Sequence, residues 1–228
     1  MLELSVLLPY KPDNGPRDAA FRWITAFYWK YMQHAEICIG HSDSAPFSRA
    51  QAINDAARQA TTGLFLIADT DIFYDPRIIR EAMHRLNTHA WVIPYSRVHD
   101  LSEQCTGRLL VTAPTWPLAM PIDSSVRAYS PKGGLTLIPR QHFEAVGGLD
   151  ERFVGWGGED DAMASSLDTL CGEHDRLQEA IYHLWHPNSK ENGNPNYANN
   201  FNLFLRYMNA YGNVSSMREL VSSRSTSL

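Results

Sequence analysis

Apolar positions along the chain fall into two patterns. Short, mostly apolar segments at residues 4–8, 35–40, 64–68, 90–95, 133–139 and 179–185 read as strands. The unbroken run at 64–68 reads as a strand buried on both faces. Between the expected strands lie segments with helical spacing, at 19–31, 47–60, 77–86, 140–146, 162–170 and 197–211. In the second of these, Ala50, Ile53, Ala57 and Ala60 recur three and four apart, which places them on one helix face. Asp18 stands where an N-cap would open the first helix, and Pro76 stands at the start of the third. Gly147 and Gly148 stop the short fourth helix. Strands alternating with helices predict an α/β protein with a mixed, mostly parallel central sheet flanked by helices. The stretch 97–130 resists this reading. Within it, 112–121 carries Pro114, Pro117 and Pro121 and predicts an extended loop. Residues 188–200 are turn-rich, and the Ser-rich end predicts a flexible tail over 216–228.

Composition narrows the class. The 228 residues suit one domain, expected over 1–215. A net charge of −5 and a pI near 6.0 lean against binding nucleic acid through overall basicity. Cys38, Cys105 and Cys171 are few, odd in number and widely spaced, so they form no disulfide framework and suit a reducing compartment. No segment approaches the ~20 apolar residues of a spanning helix. The N-terminus has no signal-peptide pattern, so the expected setting is cytoplasmic, with no membrane span.

Candidate chemistry gathers at three places. The run Leu64-Phe65-Leu66-Ile67-Ala68 ends in Asp69-Thr70-Asp71. Ligands of open α/β sheets bind beyond the carboxyl ends of strands, and paired carboxylates there suit a hard divalent cation. An Asp-rich turn is the alternative. Glu159, Asp160 and Asp161 follow three glycines and Trp156, and they either open a helix favourably or serve a site. Trp156 itself is either a core residue or a ring that stacks on a sugar face. His183 and His186 close the last strand, and imidazole with carboxylate suits Mn²⁺.

The stretch 147–161, ending Gly155-Trp156-Gly157-Gly158-Glu159-Asp160-Asp161, resembles the acceptor-side signature of GT-A-fold glycosyltransferases. It is closest to the β-1,4-galactosyltransferase and bacterial chondroitin polymerase type. Asp69-Thr70-Asp71 is similar to their Asp-x-Asp motif, Phe47-Ser48-Arg49-Ala50 to their nucleotide contact, Gly133-Gly134 to the pair that closes over the donor sugar, and Tyr182-His183 to their metal-binding histidine.

That resemblance implies a GT-A, Rossmann-like fold. Residues 1–100 would form a nucleotide-sugar-binding half and 101–215 an acceptor-binding half. It implies a metal-dependent, inverting transfer from a nucleotide-sugar, UDP-linked, to an acceptor hydroxyl on a glycan, a protein or a modified nucleobase. Pro9, Tyr10, Lys11, Phe47, Arg49, Asp69, Gly133 and Gly134 would hold the nucleotide-sugar. Asp71, Asp69, His183 and His186 would hold Mn²⁺ or Mg²⁺. Asp160 would be the general base, and Glu159 would orient the acceptor beside Trp156, Gly157, Gly158 and Asp161. Pro131-Lys132 replaces the aromatic pair of the animal galactosyltransferases, so galactose is not implied. The missing anchor and stem of Golgi enzymes point to a bacterial or phage source. The competing readings are a haloacid-dehalogenase-like phosphatase, whose Asp-x-Asp usually follows the first strand, and a non-catalytic sugar-nucleotide or glycan-binding module.

Overall fold

The computed structural model describes residues 4–187 and 194–224. Six strands form the central sheet, in the order β2 (Ala35–Gly40), β1 (Leu4–Pro9), β3 (Leu64–Ala68), β8 (Leu135–Pro139), β5 (Trp91–Ile93) and β9 (His174–Arg176). β1 runs parallel to both β2 and β3, and β5 runs parallel to β9. β8 is antiparallel to β3 and β5. The sheet is therefore mixed, as expected. β1 and β3 are buried along their whole length, which explains the apolar sequence of β3 and of β1 apart from Ser5, whose hydroxyl is hydrogen-bonded to Glu36 and Thr62. The sheet draws β8 and β9 from beyond residue 100, so both halves of the sequence contribute to one core.

Helices α1 (Pro16–Tyr31), α2 (Arg49–Gln59), α3 (Arg77–Arg85), α5 (Arg140–Ala145), α6 (Glu159–Leu170) and α7 (Tyr197–Ala210) match the expected ones to within a few residues. Asp18 does not cap α1. It lies inside the first turn and accepts hydrogen bonds from the backbone of Asp13 and Asn14 and from the Tyr10 hydroxyl, so it braces the preceding loop. The true cap of α2 is Ser48, whose hydroxyl accepts from the Gln51 amide.

A second sheet is new: β4 (Ile72–Tyr74), β10 (Ala180–His183), β6 (Arg97–Leu101) and β7 (Ser124–Val126), in that order. Only β10 was expected. β4 and β10 are antiparallel, with Ile72 opposite His183. The chain thus leaves one sheet at Ala68 and enters the other at Ile72, and Asp69-Thr70-Asp71 is the crossing between them.

Residues 103–110, within the stretch that resists reading, form a helix, α4. The proline-rich segment after it is a loop, as expected, and is tied to α1: Trp23 Nε1 and Lys30 Nζ donate to the carbonyls of Thr112 and Pro114, and the Trp116 amide donates to Tyr31. One further expectation needs correction. The tail expected from 216 is instead helix α8 (Val214–Ser222), capped by Asn213. Met217 and Leu220 are buried with Phe153, Leu203 and Tyr207 in a second, smaller core. Arg224 then donates to the carbonyls of Val146 and Gly148. Residues 188–193 of the turn-rich segment and 225–228 of the tail lie outside the described residues. Among the described residues, no helix is long and apolar enough to cross a membrane.

Candidate active site

The crossing between the two sheets fixes the first acids. The Asp69 amide donates to the Gly134 carbonyl at 2.9 Å, extending the β3–β8 ladder by one residue. The Asp71 carbonyl accepts from the Leu184 amide at 2.8 Å, extending the β4–β10 ladder. The two carboxylates therefore belong to different sheets and meet different partners. Asp69 pairs with Arg49 Nε at 2.7 Å. Asp71 is buried and faces both histidines: His186 Nε2 lies 3.2 Å from its Oδ2 and His183 Nε2 lies 3.7 Å from its Oδ1. One ligand atom from each of Asp71, His183 and His186 falls within 4.8 Å of the others, close enough to share one cation. One carboxylate oxygen and two imidazole nitrogens form a donor set that suits Mn²⁺. Asp69 lies outside this cluster.

These surroundings push the two acids apart. Burial opposes the charge on Asp71, but the charges of His183 and His186 outweigh it and pull the carboxyl down to about 2. For Asp69, burial prevails over the Arg49 pairing, with Asp71 and Asp160 adding repulsion, and its carboxyl is raised.

The acceptor-side acids open α6, beneath a cap at Gly158 whose φ of +94° is left-handed. α2 and the 147–158 segment are stitched together. The Asn54 side chain exchanges two hydrogen bonds with Leu149, the Ser48 hydroxyl donates to the Phe153 carbonyl, and the Gly155 amide donates to the Phe47 carbonyl. This brings Arg49 to Asp160, 2.5 Å from Nη1, and to within 3.9 Å of Glu159. One guanidinium thus bridges Asp69 and Asp160, from acid runs about ninety residues apart in sequence. Glu159 is pushed up to about 7, first by burial and then by the charge of Asp160, against the pull of Arg49. Burial likewise raises Asp161, with Lys132 opposing.

Gly133 and Gly134 run between the two groups of acids. A Cβ on Gly133 would stand 1.8 Å from Asp160 Oδ2, and Gly134 has φ +88° with Ile72 at 2.8 Å from where a Cβ would be. No side chain fits either position. The buried Tyr95 hydroxyl donates to the Gly133 carbonyl, and the Arg176 guanidinium donates to that of Pro131, which anchors this segment.

Other expected residues sit at the margins. Pro9 ends β1, Tyr10 stacks on Phe21 with ring centroids 3.8 Å apart, and Lys11 is exposed. Burial and then the bond to Asp18 raise the Tyr10 phenol to about 12. Phe47 is half-buried. Trp156 is 50% exposed, so it is no core residue, and its ring lies 6.4 Å from Tyr197 at 13° between planes. Gly157 lies in the same loop, also at positive φ.

Sequence reasoning missed four residues at this centre: Arg17, Tyr95, Asp100 and Arg127. Arg17 Nη2 lies 3.2 Å from His186 Nδ1. Asp100 lies 3.0 Å from His183 Nδ1 and accepts two hydrogen bonds from Arg127, at 2.8 and 2.6 Å. Burial opposes the Asp100 charge, but the bonds from His183 and Arg127 hold its carboxyl well below the usual range.

Comparisons with known proteins bear on the fold. Residues 121–188 match the sequence model of a family described as the N-terminal domain of galactosyltransferase. No curated protein matches the chain. Among solved structures, the catalytic domain of Drosophila beta1,4-galactosyltransferase 7, in complex with xylobiose, superposes with a TM-score of 0.50 at 15% identity, covering 84% of this chain and 74% of that one. GalNAc-T7 with UDP, GalNAc and Mn²⁺ superposes with a TM-score of 0.54 at 12% identity, covering 98% of this chain and 55% of that one. The chain has the GT-A fold of these glycosyltransferases, as the resemblance implied, and its 121–188 segment carries galactosyltransferase-type sequence.

Proposed function

We propose that this GT-A-fold glycosyltransferase moves a sugar from a UDP-sugar to an acceptor hydroxyl, with inversion, and depends on a divalent cation. The observation that carries this reading is the Arg49 bridge, which ties the acid at the end of β3 to the acids that open α6. A two-substrate reaction needs a donor site and an acceptor base close together, and contact of one guanidinium with both Asp69 and Asp160 supports assigning these acids to the two sides. The GalNAc-T7 structure, with UDP and Mn²⁺, supports the nucleotide and the metal.

Asp71, His183 and His186 would hold the cation. Bound there, it would neutralise the diphosphate leaving group as a Lewis acid. Phe47 and Arg49 would lie along the nucleotide, next to the Pro9-Tyr10-Lys11 loop. The Gly133–Gly134 backbone would close over the donor sugar, where its lack of side chains allows close approach. Trp156 would present a ring face to the acceptor. Asp160 would exchange its Arg49 contact for the acceptor hydroxyl and take its proton. The acceptor oxygen then bonds to the anomeric carbon, the bond from that carbon to the diphosphate breaks, and the electron pair leaves with the diphosphate. Glu159, whose carboxyl is raised by burial and by Asp160, would orient the same hydroxyl. Its raised pKa also favours it as a second candidate base.

The test is release of UDP from a panel of UDP-hexoses and UDP-N-acetylhexosamines with Mn²⁺, offered glycan, peptide and hydroxymethylated-base acceptors. The anomeric configuration of any product is then read by NMR. Retention at the anomeric carbon would overturn the single displacement. Asp160→Asn should cost ~10²–10⁴-fold in turnover. If Glu159→Gln shows that loss and Asp160→Asn turns over normally, the base is Glu159. Hydrolysis of simple phosphoesters without need of a sugar nucleotide would restore the phosphatase reading.

A further inference from the structure

We propose that Asp100, clamped by Arg127, is a positioning residue that commits His183 as the nitrogen ligand of the cation. The inference rests on the metal-dependent reading above and adds two residues to it. The arrangement is built by strand register. β10 and β6 run parallel with His183 opposite Asp100, and β7 pairs antiparallel on the far side with Ser125 opposite Asp100. Arg127 follows directly after β7, and its amide donates to the Val98 carbonyl at 3.0 Å, which fixes its backbone. From there its guanidinium meets Asp100 with two N–H bonds, the bidentate geometry that arginine forms with carboxylates.

The chemistry then follows from donors and acceptors. A carboxylate paired this way can only accept, so the 3.0 Å contact between Asp100 and His183 is a hydrogen bond given by Nδ1–H. In the imidazole form that arrangement leaves the lone pair on Nε2. That nitrogen points toward Asp71, at 3.7 Å from Oδ1, too far for a hydrogen bond between them. Histidines that bind metals commonly give their other N–H to a carboxylate, which fixes the tautomer and raises ligand basicity. Among the described residues, no carboxylate faces Nδ1 of His186. Its Nδ1 faces the Arg17 guanidinium at 3.2 Å and the Pro187 carbonyl at 3.0 Å, and its Nε2 lies within hydrogen-bonding distance of Asp71. The two histidines are therefore not equivalent. His183 is held ready, and His186 completes the site on loading.

The test uses the whole chain without any sugar nucleotide. Mn²⁺ is titrated by electron paramagnetic resonance into wild type, Asp100→Asn, Arg127→Gln, His183→Ala and His186→Ala, with melting and circular dichroism as fold controls. Asp100→Asn should weaken Mn²⁺ binding by about 10–100-fold at unchanged secondary structure. Arg127→Gln should act in the same direction with a smaller effect, and His183→Ala should cost more than His186→Ala. In parallel, ¹⁵N spectra of histidine-labelled, metal-free protein should show His183 as the Nδ1–H tautomer in wild type and a tautomer mixture in Asp100→Asn. A purely structural role for Asp100 would leave that signature alone. Full Mn²⁺ affinity in both Asp100→Asn and Arg127→Gln, or an Nε2–H tautomer for His183 in wild type, would overturn the relay while leaving the glycosyltransferase reading intact. Failure of wild type to bind Mn²⁺ would instead overturn the metal-dependent reading and this inference with it.

Discussion

Asp71 and Glu159 are both carboxylates that end up buried at the same centre, and their surroundings drive them in opposite directions. Asp71 sits between two sheets with two imidazoles facing it, and its carboxyl is pulled to about 2. Glu159 sits in the first turn of α6, where the helix dipole favours negative charge. Burial and the adjacent Asp160 overcome that help and lift it to about 7. The difference lies in what faces each group. Partners that carry or accept positive charge keep Asp71 ionised at every physiological pH, which suits a fixed metal ligand. Like charges behind Glu159 leave its proton free to come and go, which suits a group that handles an acceptor hydroxyl.

The largest break in this contrast comes from Asp71→Asn. Removing the charge takes away the anionic ligand of the histidine cluster, and Mn²⁺-dependent turnover should be abolished. Mn²⁺ titration should show binding lost with it, whereas Asp160→Asn should keep binding while losing turnover. Equal Mn²⁺ affinity in wild type and Asp71→Asn would detach the metal from this cluster.

The next effect is structural. Arg49→Met leaves Asp69, Glu159 and Asp160 facing one another without a cation. Breaking a fully buried pair costs ~3–5 kcal/mol. The side chains of Asp69 and Asp160 are 29% and 32% exposed, so water can screen them and the expected loss is on the order of 2 kcal/mol. Urea unfolding at neutral pH measures it. Lowering the pH should recover part of the loss as the acids take up protons, and a loss that ignores pH would show that Arg49 acts through packing alone.

These residues also show what the sequence could and could not disclose. β1 and β3 were legible because burial on both faces leaves no polar position in β3 and only Ser5 in β1, and Asp69 and Asp71 stand where that pattern stops. The short strands were not. β4 continues an apolar stretch without a break of its own, β7 has exposed Ser125 and Val126, and β9 reads His174-Asp175-Arg176. Their pairing is a tertiary fact, and Asp100 and Arg127 reach His183 only through it. The alternation in Arg97-Val98-His99 was a faint signal for β6. α8 carried a better one: Asn213 as cap, then Met217 and Leu220 three apart on one face, obscured by the serines around them. Arg49 was found through its resemblance to a nucleotide contact, but its bridge between the two acid runs was visible only in three dimensions.

A smaller effect separates the two acids by pH. An ordinary glutamate in the unfolded chain titrates near 4.5, and Glu159 in the folded chain titrates at about 7. Between those values the folded state holds a proton that the unfolded state releases. The stability this proton contributes is full below the window and is lost as pH rises through it. Glu159→Gln cannot titrate, so it should remove this part of the pH dependence. Urea midpoints at about pH 5 and about pH 8 should therefore fall more steeply in wild type than in the variant. Parallel profiles for the two proteins would place the proton elsewhere.

The smallest effect tests the acceptor side through Trp156, whose two readings the sequence left open. Half its surface is exposed, and its position is fixed by its backbone: the side chains of Asn194 and Asn200 both donate to its carbonyl. Tyr197 lies nearly parallel to the ring, and Phe201 continues the row at 6.3 Å from Tyr197. Trp156→Ala therefore removes little buried surface, and stability should stay within about 0.5 kcal/mol of wild type. If the ring stacks on the acceptor, its loss removes ~0.5–1.5 kcal/mol of binding, or roughly 2–10-fold in acceptor KM. The donor KM should not move, because Asp71, His183 and Arg49 are untouched. A change in donor KM with acceptor KM constant would place Trp156 over the nucleotide-sugar. The boundary between the two substrates would then run on the far side of Gly157 and Gly158, between Trp156 and Asp160.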